Sequence, residues 1–299
     1  MEWLPNFFIA GAPKCGTSTL HRWLAAHPQA LGAREKETCF LADPGTHTYR
    51  RDFHVSNGMA SWSTAFDPPR PETRVIFDAT PDYLYSKTAL RVIPDMPGAP
   101  KCLFVLREPA AQIFSIFRYF QNNWNWIAPH MSFSDYIDAL RGGGARFGGN
   151  ELAERALGNA QYLDHLAPWR ARLGEERLKV MTFERLTRQS REAMEEIAQW
   201  LGLDPGFYDG FDFAPENQSY VPRSRALQRI NVALRGTLPR GAAYRHLRAL
   251  YRRVNTRAPA APSAQERRVL TELRRDFRPA NRALADAFGL DLSAWEAVA

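Results

Sequence analysis

The sequence has few cysteines: Cys15, Cys39 and Cys102 are the only three, with no Cys-x-x-Cys pair and no Cys/His cluster. An odd, sparse set excludes a disulfide framework and gives no reason to expect zinc or another metal. Long hydrophobic runs are missing too. No stretch of about 18 apolar residues occurs, which argues against a membrane-spanning helix. The first six residues, Met1-Glu2-Trp3-Leu4-Pro5-Asn6, lack the basic start and long apolar stretch of a secretory signal, so the expected location is the cytoplasm. Acidic residues are absent from Asn217 to Gln265, where Arg223, Arg225, Arg229, Arg235, Arg240, Arg245, Arg248, Arg252, Arg253 and Arg257 fall. Those ten charges exceed the net +7 of the whole chain. Such a block suits an anionic substrate or a peripheral membrane contact, and equally a solvated, Arg-rich helix face. It is poor in aromatics and carries no nucleic-acid motif, so nucleic acid is not an expected partner.

The composition, 45% hydrophobic and 24% charged over 299 residues, is that of an ordinary globular protein. Short apolar runs alternate with longer helical patterns, which predicts an α/β fold: three layers, with a central parallel sheet flanked by helices. Strands are expected at about Asn6–Ala10, Val75–Phe77, Lys101–Leu106 and Leu178–Thr182. Helices are expected at about Ser18–Ala26, Pro109–Tyr119, Asn150–Leu173, Arg185–Leu201 and Ala264–Phe288. The expected organisation is one domain, residues 1–215 forming a nucleotide-binding core and residues 216–299 a basic helical cap. Glycines at 142–144 and 148–149 mark a flexible loop. Cys102, inside an apolar run, reads as a small buried hydrophobe.

The chemistry begins at Gly11-Ala12-Pro13-Lys14-Cys15-Gly16-Thr17-Ser18-Thr19, between the first strand and the first helix. Backbone N–H groups converge in such a turn and the helix dipole favours an anion there. Gly11, Gly16 and Ser18 fit the pattern of a nucleotide-triphosphate loop, but its lysine position holds Thr17. The lysine is Lys14, inside the loop, where it approaches the first phosphate and its leaving oxygen instead of a γ-phosphate. Cys15 sits beside Lys14, a setting that can lower a thiol pKa. The loop needs only backbone amides there, so the thiol reads as a bystander. A second anion site is suggested by Arg107 at the end of an apolar strand and Ser115 eight residues on, two turns into a helix.

Together these segments resemble the PAPS-dependent sulfotransferases, where PAPS is 3′-phosphoadenosine 5′-phosphosulfate. The resemblance implies that Lys14 contacts the sulfuryl bridging oxygen and that Lys14, Cys15, Gly16, Thr17, Ser18 and Thr19 hold the 5′-phosphosulfate. It assigns Arg107 and Ser115 to the 3′-phosphate that distinguishes PAPS from ATP. Glu108 and Gln112 depart from the family's usual Asp and Arg and are expected to be peripheral. Glu35-Lys36-Glu37-Thr38-Cys39-Phe40-Leu41 is similar to the base-bearing segment of the carbohydrate, heparan sulfate-type branch, and by that likeness Glu37 is the general base, with His54 and His21 as the runners-up. Asp78-Ala79-Thr80-Pro81-Asp82-Tyr83 matches a further family segment without its lysine, leaving Asp78 to orient a substrate hydroxyl or a cation. No Lys-Gly-Arg loop is present, and Arg223 or Arg225 would replace it over the 3′-phosphate. Tyr162 falls where the family often has a tyrosine near the cleft, and Trp295 matches a frequent terminal tryptophan.

The implied activity is metal-free, in-line transfer of a sulfuryl group from PAPS to a hydroxyl or amine, on a glycan or glycosylated small molecule, including one already anionic. The competing readings are a P-loop kinase of a small metabolite, and a nucleotide-binding protein without catalysis.

Overall fold

The structure, a computed structural model, describes residues 3–144, 146–214, 221–234, 251, 254–258 and 260–296. The chain opens with β1 (Phe7–Gly11), whose five residues are all buried, and α1 (Thr17–Ala25). β2 (Ala30–Gly32), β3 (Val75–Asp78) and α2 (Lys87–Val92) follow. Next come β4 (Lys101–Leu106), α3 (Pro109–Tyr119) and α4 (Phe133–Arg141). Then α5 (Glu151–Glu154), α6 (Ala156–Asn159), α7 (Tyr162–Arg177) and β5 (Leu178–Thr182) lead to α8 (Phe183–Arg188) and α9 (Ser190–Leu201). The C-terminal part contributes β6 (Val221–Pro222), α10 (Arg225–Leu234), β7 (Thr256–Arg257), α11 (Ala264–Phe288) and a last turn of helix, Ser293–Glu296.

The central sheet has five parallel strands in the order β2-β3-β1-β4-β5. Parallel strands are covered on both faces, which is why β1 and β4 are continuously apolar and not alternating. β1 lies between β3 and β4: the chain leaves it for β2 at one edge and later crosses from β3 to β4 on its other side. A crevice opens at the carboxyl ends of the strands at such a switch point, and ligands of α/β sheets bind there. The loops after β1, β2, β3 and β4 all end at that edge.

Among the described residues, two hydrophobic cores form. One joins the sheet to Leu20, Leu24, Leu166, Trp169, Ile197 and their neighbours. The other forms around α3, where Ile113, Ile116 and Phe117 meet Phe133 and Tyr136 of α4 and Leu270, Leu273 and Phe277 of α11. Farther along α11, Leu284 reaches the first core, as does Trp295. The C-terminal helix therefore spans both. No described helix is long and apolar enough to cross a membrane.

The expected α/β architecture is present, with differences in detail. The sheet has a strand the sequence reading omits, β2, only three residues long and close behind His27-Pro28. The expected single helix over Asn150–Leu173 is three. Asn150 caps α5 by accepting from the Leu152 and Ala153 N–H groups, Arg155 leaves helical geometry at φ −120°, and α7 starts only at Tyr162. The helix expected at Arg185–Leu201 is broken at Gln189 (φ −128°, ψ 54°) into α8 and α9. The paired glycines do take turn geometry, with positive φ at Gly143, Gly144, Gly148 and Gly149.

Candidate active site

The β1–α1 loop has the backbone geometry of a candidate anion cradle. Lys14 (φ 67°) and Gly16 (φ 83°) both adopt left-handed backbone, and Gly16 caps α1 without a side-chain hydrogen bond. That alternation turns successive amides toward one point, next to the positive end of the helix. Gly16 also has to be glycine because a Cβ there would lie 2.8 Å from the Phe183 ring. Thr17 and Thr19 are buried and Ser18 half-buried at the helix start. Cys15 fares differently from a reactive thiol. Its side chain is fully buried and burial pushes the thiol up to about 12. Its amide donates to the Ala12 carbonyl at 3.3 Å, so that N–H is engaged in shaping the turn.

Lys14 projects from this loop into the crevice. Its ammonium lies 4.0 Å from the centroid of the Tyr119 ring, at the end of α3. Burial first, then the Arg107 charge, pulls its pKa down to about 8, against the opposing pull of the Glu37 carboxylate. Past Tyr119 the helix widens into one π-turn, Phe120–Trp124, ending at Asn125 in left-handed backbone. Such turns are frequent at functional sites.

Arg107 follows the last residue of β4. Its Nη1 donates to the Lys14 carbonyl at 3.4 Å and its guanidinium lies 4.9 Å over the Phe183 ring. The two candidate anion-binding segments are therefore adjacent, although 93 residues separate Lys14 from Arg107. Ser115 is half-buried on α3, two turns beyond Arg107. Gln112, expected to be peripheral, is fully buried and its Nε2 donates to the Pro13 carbonyl at 2.9 Å. It ties α3 to the lysine loop. Glu108 is also more than peripheral. Its carboxylate caps α3 through the Ala110 and Ala111 N–H groups, each at 2.9 Å.

Glu37 lies beyond the carboxyl end of β2. Its carboxylate is 44% exposed and accepts from Lys36 Nζ, itself 19% exposed, at 2.6 Å. The segment that carries it is sewn to the loop after β3: the Ala79 N–H donates to the Lys36 carbonyl at 3.3 Å and the Cys39 N–H to Thr80 Oγ1 at 3.2 Å. Asp78 organises this junction. It is fully buried and accepts from Thr38 Oγ1, from Thr80 Oγ1 at 2.8 Å and from the Tyr83 hydroxyl at 2.9 Å. The expectation that Asp78 orients a substrate is replaced by a structural role: it sets the Glu37 loop from below. Burial holds its carboxyl above the ordinary range, with the three hydroxyls pulling the other way. Asp78→Ala strands those hydroxyls in the core and is expected to cost about 3 kcal/mol. Urea unfolding should show a lower midpoint at an unchanged slope; an unchanged midpoint would contradict that role.

The two alternative bases are engaged or withdrawn. His54 Nε2 hydrogen-bonds the Ala42 carbonyl at 3.0 Å, while its Nδ1 accepts from the Ser56 N–H at 3.1 Å. His21 lies 5.3 Å from the Phe77 ring, and burial lowers its pKa to about 4. A residue the sequence reading passes over is Asp82, in the first turn after β3. It is pushed up to about 6, by burial first and then by the Glu37 carboxylate. His47 and Glu151, 2.7 Å apart, act on it as well, the first lowering and the second raising it. Its only sequence signal is an acidic residue inside the Thr80-Pro81-Asp82-Tyr83 segment.

Of the ten arginines in the acid-free block, Arg223, Arg225, Arg229 and Arg257 lie among the described residues; the other six lie outside them. Arg223 is exposed and its N–H donates to the Asn255 carbonyl at 2.9 Å. Arg225 is the one tied to the crevice wall. It donates to the Gln121 carbonyl and to Asn122 Oδ1, both at 3.1 Å, on the π-turn. Tyr162 is buried and its hydroxyl donates to the Arg107 carbonyl at 2.9 Å.

Comparison with known proteins gives the family and the fold. Residues 5–208 match the model of the sulfotransferase family. A bifunctional heparan sulfate N-deacetylase/N-sulfotransferase 1 of Caenorhabditis briggsae is 23% identical over 205 residues, covering 67% of this chain and 23% of the relative. The corresponding enzyme 3 of Mus musculus is also 23% identical, over 68% of this chain and 23% of its own. The chain thus spans about a quarter of the length of these curated relatives. The crystal structure of a sulfotransferase from Alicyclobacillus acidocaldarius superposes with a TM-score of 0.64 at 23% identity, covering 98% of this chain and 99% of that one.

Proposed function

Since the chain belongs to the sulfotransferase family, we propose that it transfers a sulfuryl group from PAPS to a hydroxyl or amine, with Glu37 as base. One observation supports the reading: the Arg107 guanidinium stands beside the Lys14 carbonyl, which brings the two candidate anion-binding segments together. PAPS bears its anions on the 3′ and 5′ carbons of a single ribose and needs two such sites side by side. ATP needs one continuous track and a metal. The missing lysine at Thr17 speaks further against a metabolite kinase.

The residues divide the work accordingly. Backbone amides of the 14–19 loop and the start of α1 receive the 5′-phosphosulfate, and Arg107 with Ser115 takes the 3′-phosphate. Arg223 or Arg225 would close over that phosphate. Glu37 removes the proton from the acceptor oxygen or nitrogen as that atom bonds to sulfur. The bond between sulfur and the 5′-phosphate oxygen breaks, and adenosine 3′,5′-bisphosphate departs. Negative charge grows on the departing oxygen, where the Lys14 ammonium meets it.

The likeness to heparan sulfate enzymes supports a glycan or glycosylated small molecule as acceptor. Around Asp82, the carboxylates Glu37 and Glu151 are set against Lys36 and His47, a mixed set of charges compatible with a neutral sugar. The test is transfer of radioactive sulfate from PAPS into a metabolite extract of the producing cell, resolved by mass spectrometry. One or a few labelled products are expected. Tight bisphosphate binding without any labelled product would instead favour a non-catalytic nucleotide-binding protein.

A further inference from the structure

Phe183 and Glu184, which no motif singles out, stand against both anion-binding segments. The Phe183 ring fills the space next to Gly16 on one side and supports the Arg107 guanidinium at 4.9 Å on the other. Glu184 Oε1 accepts from the Glu108 N–H at 3.2 Å. The hydroxyl of Tyr162 donates to the Arg107 carbonyl at 2.9 Å. These two bonds hold the same peptide unit, whose C=O belongs to Arg107 and whose N–H belongs to Glu108. A peptide is planar, so fixing both ends fixes its orientation, and with it the start of the Arg107 side chain.

Both holders meet at the C-terminus of the described chain. The Trp295 indole Nε1 donates to Glu184 Oε2 at 2.7 Å. Its ring centroid lies 6.3 Å from that of Tyr162. Arg274 of α11 pairs with Glu108 Oε2 at 3.4 Å, on the residue after Arg107. Trp295 is buried in the main core, so these contacts are packed and not surface accidents.

We propose that Trp295 is a positioning residue for nucleotide binding: through Glu184 and Tyr162 it fixes the Arg107–Glu108 peptide and aims the guanidinium at the 3′-phosphate. The inference rests on the reading of Arg107 as the 3′-phosphate ligand. It makes the last residues of the described chain part of what distinguishes a 3′,5′-bisphosphate from a nucleotide with a 5′-phosphate alone.

The test is calorimetric binding of adenosine 3′,5′-bisphosphate and of adenosine 5′-monophosphate to the full chain. Trp295→Phe keeps a ring in the core but removes the N–H. Glu184→Gln keeps an acceptor for the Glu108 N–H but loses the charge-assisted bond to the indole. In both variants the preference for the bisphosphate should fall roughly five- to tenfold, as expected for loss of one hydrogen bond to a charged group, while monophosphate affinity stays within about twofold. The double variant should lose no more than the larger single loss, because both changes cut one chain of contacts. A general loosening of the fold would weaken the two ligands alike and leave their ratio unchanged. A purely electrostatic role for Glu184 would strengthen both in the glutamine variant. Either pattern, or an intact preference in both variants, overturns the inference. A wild-type protein without any preference for the bisphosphate overturns the reading of Arg107 itself, and this inference with it.

Discussion

Glu37→Gln is expected to lower sulfuryl transfer by roughly 10²- to 10⁴-fold, the usual worth of a general base, and to leave adenosine 3′,5′-bisphosphate binding within about twofold. The separation follows from the placement of Glu37. It stands beyond β2, while the proposed nucleotide contacts come from the loops after β1 and β4. The glutamine preserves size and can still accept from Lys36, so the loop has no reason to move; it simply cannot take a proton. Asp82 is the nearest candidate to substitute, being a carboxyl beside Glu37 raised to about 6. Any residual activity in the variant should therefore fall further in Glu37→Gln/Asp82→Asn. Label transfer from radioactive PAPS and calorimetry on the same preparation check both halves. Near-full transfer in Glu37→Gln would remove Glu37 from the role of base.

Lys14→Met should cost about as much, roughly 10²- to 10³-fold in kcat, the range measured for removing one group that stabilises developing charge. The affinity for the bisphosphate should fall less, because the amide cradle and Arg107 remain. A pH profile adds a second readout. With a pKa lowered to about 8 in the free protein, Lys14 is an ammonium below that value and loses its charge above it. Transfer measured as kcat/KM, which reports the free enzyme, should therefore decline as pH rises through about 8. In the complex the anionic nucleotide favours the charged form, so kcat should hold to higher pH. Lys14→Arg does not titrate in this range and should lose the alkaline limb of kcat/KM, at reduced overall rate. An alkaline limb that persists in Lys14→Arg would assign it to another group.

These effects trace to features that differ in how far the sequence discloses them. β4, α3, β5 and α11 fall where periodicity and punctuation put them, because each is a single apolar run or stripe bounded by Pro, Arg or Gly. The two candidate anion-binding segments are legible for the same reason: each is a strand end followed by a helix start, and both features are local. β2 is too short to show a period. The breaks at Arg155 and Gln189 leave the apolar spacing intact, so the pattern alone runs the helices together. What escapes altogether is the set of distant neighbours. Asp78 gathers Thr38 across 40 residues, and Trp295 reaches Glu184 across 111. Nothing local marks either pair, since each residue also reads as ordinary core or surface. Cys15 shows the opposite case, a residue whose sequence neighbours suggest reactivity and whose burial in the fold, which raises the thiol, removes it.

Two adjoining anion sites are proposed to take the two phosphates of one ribose. Titration calorimetry of the wild-type protein with adenosine 3′,5′-bisphosphate, and separately with ATP and Mg²⁺, tests it most directly. Binding of the bisphosphate at least about a hundredfold tighter than ATP–Mg²⁺ is predicted, with that advantage lost in Arg107→Ala, as expected for removing a charge-assisted pair. Preference for ATP–Mg²⁺, or a bisphosphate affinity indifferent to Arg107, would contradict it.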